Sequence, residues 1–198
     1  MTVSIDDIRK LKELTGVGLT DAKTALVEAD GNFDKALEAM RKKGLTKAEK
    51  KADREAREGI IESYVHGGRI GVLVEVNCET DFVARTDGFK DFAHQVALQV
   101  ASMSPVYVSE EDIPAEELER VRTEALESDT LKGKPADIVE KIVSGQVKKH
   151  FADKVLLNQQ YIMDDSKTVA DFLKETVAKT GENVVIRRFA RMELGVND

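Results

Sequence analysis

The chain has 198 residues, 41% of them hydrophobic and 34% charged, with three prolines and no tryptophan. That composition excludes collagen-like, disulfide-framework and wholly disordered classes, and no apolar run approaches the roughly 20 residues needed to span a bilayer. The formal net charge of −7 argues against nucleic acid as the main partner, because domains that grip phosphate backbones are usually basic.

The N-terminal stretch reads as three short helices. Ser4 followed by Asp7 is a capping-box pattern, and Ile5, Ile8, Leu11 and Leu14 recur at helical spacing. Thr15-Gly16-Val17-Gly18 interrupts the pattern. Thr20 is placed to cap a second helix carrying Ala22, Ala25, Leu26 and Ala29. Asp30-Gly31-Asn32 is a turn, and Phe33, Ala36, Leu37 and Met40 mark a third helix, with Gly44 as its C′ residue. One apolar stripe on each helix makes a compact bundle. From Arg41 to Glu58 bases and acids interleave with Ala48, Ala52 and Ala56. This reads as a solvated helical linker with internal ion pairs rather than a basic patch for RNA.

A strand region follows. Gly59 to Val65 and Ile70 to Val76 flank His66-Gly67-Gly68-Arg69, a good hairpin signal. Helices are expected from Gly88 to Ala101, from Ala115 to Asp129 in a very acidic stretch opened by Pro114, and from Pro135 towards Val155 and Leu156. Another follows the Thr168/Asp171 capping box. Val184 to Glu193 is a third strand. Val184, Ile186, Ala190 and Met192 are expected on one of its faces, interrupted by Arg188. Three strands are about the minimum for a stable sheet. The fold class is therefore α+β, with a three-helix bundle followed by a core in which a three-stranded antiparallel sheet packs with helices.

Enzyme signatures are missing: there is no GxGxxG after a strand, no GxxxxGK[ST], no HExxH and no GxSxG. Cys78, the single cysteine, ends an apolar strand and reads as a buried structural thiol. His66, His94 and His150 lack metal-ligand spacing and read as surface or boundary residues. The acidic pairs read as solvated faces or caps. Met1 to Asp7 lacks the basic and apolar regions of a signal peptide, so a reducing, cytoplasmic setting is expected.

One segment resists a structural reading. Cys78-Glu79-Thr80-Asp81-Phe82-Val83-Ala84-Arg85 connects a strand to a helix and carries a large aromatic beside a carboxylate. Read from the residues alone, Phe82 either folds back into the core or stands out as an anchor for a partner's pocket.

The run Val76-Asn77-Cys78-Glu79-Thr80-Asp81-Phe82-Val83-Ala84-Arg85 closely resembles the signature of the bacterial elongation factor Ts family. Ile8-Arg9-Lys10-Leu11, Leu14 to Gly18, Asp21 to Leu26, Gly31 to Ala36 and the tail from Asn183 to Gly195 match it too, so the resemblance covers nearly the whole chain. It implies a ubiquitin-associated-like bundle with its charged linker over 1–54, and an α+β core over 55–198 that carries the exchange loop and a dimerisation surface. It also implies a guanine-nucleotide exchange factor, not an enzyme, acting on elongation factor Tu in its GDP-bound and nucleotide-free states. By the same resemblance Val17, Gly18, Leu19 and Lys23 dock the bundle on the GTPase domain. Thr80, Asp81, Phe82 and Val83 enter near the nucleotide site, dislodge Mg2+ and release GDP. No cofactor, metal, nucleic acid or membrane of the chain's own is implied. Longer members have a duplicated core and an inserted helical hairpin. This chain reads as one core copy without room for the hairpin, and short members are expected to pair as homodimers, sheet against sheet. The rival reading is an adaptor whose bundle binds another protein without exchange activity.

Overall fold

A computed structural model describes residues 3–15, 17–40, 51–128, 131 and 134–196. Helix α1 (Ile5–Thr15) has Asp6 and Asp7 in its first turn and Lys12 in its last, complementing the helix dipole. The Ser4 hydroxyl accepts from the Asp6 N–H at 3.2 Å. Helix α2 (Leu19–Glu28) begins two residues earlier than the Thr20 cap anticipates. Gly18 is its N-cap, without a side-chain bond, because the Ala22 N–H already reaches the Gly18 carbonyl at 3.0 Å. Asp30 and Gly31 take positive φ, and the Asn32 side chain accepts from the Lys35 N–H at 3.0 Å. That bond starts α3, helical over 33–40. Leu11, Ala22, Ala25, Leu26, Ala36 and Met40 form the buried cluster of this bundle. Alanines at three of those positions allow close helix approach.

Gly44 and linker positions 41–50 lie outside the described residues. Residues 51–57 are turn and coil, not the expected helix. The cause is tertiary. The Asn183 amide donates to the carbonyls of Ala52 at 3.2 Å and Arg54 at 2.7 Å, bonds that an intact helical ladder would compete for.

Strands β1 (Glu58–His66) and β2 (Ile70–Cys78) form the anticipated hairpin, with Gly67 and Gly68 at positive φ. Helix α4 (Asp81–Ala84) follows β2, then α5 (Asp87–Met103). Phe89, Phe92, Ala93, Val96, Ala97 and Val100 of α5 pack against the sheet's inner residues Val72, Val74 and Val76. Helices α6 (Ala115–Leu126) and α7 (Ala136–Phe151) come next. Tyr107 bonds Glu117 near the start of α6 and touches Phe151 at the end of α7, while Arg122 pairs with Glu140 at 3.0 Å. The two helices therefore run antiparallel, and they are the pair that the sequence anticipates from Ala115 and from Pro135. Helix α7 ends at Phe151, short of Val155. A small hairpin, β3 (Gln160–Tyr161) with β4 (Asp164–Thr168), leads into α8 (Val169–Thr180), which is opened by the Thr168/Asp171 capping box.

Strand β5 (Val184–Glu193) pairs antiparallel with β2, giving the order β1-β2-β5. A register shift corrects the expected strand face. Glu75 faces Arg188 but Val76 faces Ile186, which leaves Arg187 as a bulged extra residue. A bulge reverses the alternation beyond it. Val184 and Ile186 are buried, whereas Ala190 and Met192 lie on the opposite, solvent-facing side. That open face also carries Ile61, Val65 and Leu73, all exposed.

Candidate functional site: the β2–α5 connection

Strand β2 delivers Cys78 into the core, where its thiol donates to the Thr80 carbonyl at 3.1 Å. Burial, and after it the Glu182 charge, push this thiol up to about 11. A protonated, enclosed sulfur is a structural group rather than a nucleophile. The backbone then turns at Thr80, which is extended and caps α4, its hydroxyl accepting from the Val83 N–H at 3.5 Å. At the other end the Thr86 hydroxyl donates to the Val83 carbonyl at 2.8 Å and accepts from Phe89 N–H at 3.3 Å, starting α5.

Within this single turn the side chains divide. Ala84 is buried and Val83 packs on the main core. Phe82 points the other way and is 80% exposed. Of the two readings open in the sequence, the structure takes the outward ring. Leaving such a ring in water forgoes about 1.5–3 kcal/mol of burial. Asp81 pairs with Arg85 at 2.8 Å.

Two residues that sequence reasoning missed hold the connection from across the fold. Glu182 accepts from the Glu79 and Thr80 N–H groups at 3.1 and 3.0 Å and from the Thr80 hydroxyl at 2.6 Å. Asn183 N–H donates to the Glu79 carboxylate at 2.6 Å. Only the antiparallel β2·β5 pairing brings these segments together, and no local pattern in the sequence signals it.

The N-terminal candidates sit elsewhere. Val17 is half-buried against the bundle cluster, Gly18 caps α2, and Leu19, 52% exposed, shares an exposed helix face with Lys23. The two candidate groups belong to different hydrophobic clusters.

Among the described residues no three His, Cys, Asp or Glu side chains group as a metal site, and no helix is long and apolar enough to cross a membrane. The histidines have local partners: His66 bonds Tyr64, His94 bonds Glu62 and His150 bonds Lys154. On β5, Arg188 pairs with Glu75 and Arg191 with Glu193, both at 2.7 Å.

A model of the family described as Elongation factor TS matches residues 10–195. Elongation factor Ts of Thermotoga petrophila is 54% identical over 196 residues, covering 98% of both chains. That of Caldanaerobacter subterraneus is 51% identical over 98% of this chain and 97% of its own. That of Desulfosudis oleivorans is 50% identical over 98% of each. With motif, fold and near-complete coverage in agreement, this chain belongs to the elongation factor Ts family.

Proposed function

We propose that the chain is a guanine-nucleotide exchange factor for elongation factor Tu in translation elongation, acting in the cytoplasm. On this reading residues 1–54 dock the partner and residues 55–198 form the core that delivers the exchange loop. The observation that carries it is the outward Phe82 ring on a turn capped at both ends.

An exchange factor breaks no bond. It binds the nucleotide-free partner more tightly than the GDP-bound one, and linkage then weakens GDP in the complex. A thousandfold faster loss of GDP requires about 4 kcal/mol. Burial of Phe82 in a pocket available only in the empty partner contributes about 1.5–3 kcal/mol. The remainder comes from the docking surface around Val17, Gly18, Leu19 and Lys23 and from the core.

Asp81 does not act as a competing magnesium ligand. One carboxylate is a weak site for an ion that dehydrates reluctantly, and Asp81 already engages Arg85. Such surface pairs are worth at most about 1 kcal/mol, so the carboxylate exchanges partners readily as the loop enters. Thr80 to Val83 then displace the partner's groups around the nucleotide, and Mg2+ leaves with the geometry that held it.

The open sheet face completes the assembly by pairing with a second copy. Ile61, Val65, Leu73 and Met192 are exposed together on one side of a three-stranded sheet. Clustered apolar exposure of this kind marks an interface, and two-fold pairing is the commonest form.

Release of labelled GDP from elongation factor Tu, with and without the chain, tests the reading. Acceleration of about a hundredfold or more is expected. An unchanged rate would reject exchange and leave the adaptor reading standing.

A further inference from the structure

We infer that Glu182 is a positioning residue for exchange: its carboxylate fixes the β2–α5 connection so that Phe82 is presented outward in one direction. The inference rests on the exchange reading and adds a residue which that reading does not contain.

Helix α4 is a single turn of four residues. An isolated turn does not hold its shape, because nucleation fixes several dihedral angles for one hydrogen bond. Its direction must therefore be imposed from outside. Downstream, Thr86 and the packing of Val83 and Ala84 do this. Upstream, the constraint is Glu182.

One oxygen of Glu182 accepts both the Glu79 and Thr80 N–H groups, and the other accepts the Thr80 hydroxyl. Bonds to an ionised acceptor are the stronger kind. Because the Thr80 hydroxyl donates to Glu182, its lone pair is left for the Val83 N–H. The line of force runs from Glu182 through Thr80 to the turn bearing Phe82. Glu79 returns the arrangement by accepting from Asn183 N–H at 2.6 Å, so two segments remote in sequence exchange hydrogen bonds.

Glu182 is itself well placed. Gly181, at φ +76, ends α8 and reverses the chain. The Thr180 hydroxyl lies 3.4 Å from both the nitrogen and the carbonyl oxygen of Glu182. The end of α8 thus aims a carboxylate at the start of the exchange turn. Preorganisation of this kind lowers the ordering cost of inserting a side chain into a partner.

The test uses the full chain and two independent readouts. In the free protein, Glu182→Ala is expected to speed amide hydrogen exchange at Glu79 and Thr80 about tenfold or more, with the core amides unchanged. With GDP-loaded elongation factor Tu, the same variant is expected to lower the maximal release rate about tenfold, while the half-saturating concentration moves less than about threefold. Glu182→Gln keeps an oxygen for the two backbone donors and is expected to restore most of both. In a Phe82→Ala background, Glu182→Ala is expected to cost less than about twofold further, since both act through one ring.

A Glu182→Ala protein that releases GDP at the wild-type rate, while Phe82→Ala is slow, would overturn the positioning role and leave the exchange reading intact. Wild-type release by Phe82→Ala would overturn the wedge reading itself, and the positioning role with it. An effect confined to half-saturation, or a general loss of core protection, would mark Glu182 as merely structural and also overturn the inference. If Glu182→Ala does not fold, Glu182→Asp, which withdraws the carboxylate by one methylene, carries the same test.

Discussion

Phe82 spends its hydrophobic surface on solvent, while its neighbours Val83 and Ala84 turn inward. The sequence contained the ring, its place between strand and helix, and the Thr80 and Thr86 caps. It did not contain the ring's direction, which depends on Glu182, about a hundred residues further along the chain. Cys78 is the opposite case. A thiol ending an apolar strand was legible as buried, and it is fully enclosed. Its ordinary value of 9.0 rises to about 11 in the fold, so folding favours the protonated form. Its contribution to stability is whole below about pH 9 and is lost as pH climbs through 11. At pH 8 a thiol reagent is therefore expected to label the native chain at least about a hundredfold more slowly than the urea-unfolded chain. Equal labelling rates would contradict the burial.

Helix and strand identities were largely legible, because caps and apolar periodicity are local. Two of the misreadings fall where distant residues intervene. Residues 51–57 are drawn out of a helical pattern by the Asn183 amide. The outer face of β5 is exchanged at the Arg187 bulge, a matter of register with β2 that β5 alone does not encode. The β3–β4 hairpin was missed because Asp164 to Thr168 is polar throughout. Gly59 marks a further constraint at this scale. Its φ is +149, and an added Cβ would stand 2.1 Å from the Val76 carbonyl oxygen. Gly59→Ala is expected to cost about 2–4 kcal/mol, read as a lower urea midpoint. An unchanged midpoint would show that β1 enters the sheet in another way.

At the scale of the molecule, three hydrophobic clusters among the described residues mark out the N-terminal bundle, the sheet with α5 and α8, and the α6–α7 pair. The sheet covers one face with helices and leaves Ile61, Val65, Leu73 and Met192 on the other. Light scattering at micromolar concentration is expected to give twice the chain mass, and Leu73→Asp, at the middle of that face, is expected to give a monomer. A monomeric wild-type chain would remove the dimer. The central claim is that one exposed ring is better housed by an empty GTPase than by an occupied one. Stopped-flow release of labelled GDP from elongation factor Tu, at saturating wild-type chain and saturating Phe82→Ala, tests it most directly. The account predicts release about ten- to a hundredfold slower with the variant; equal rates would contradict it.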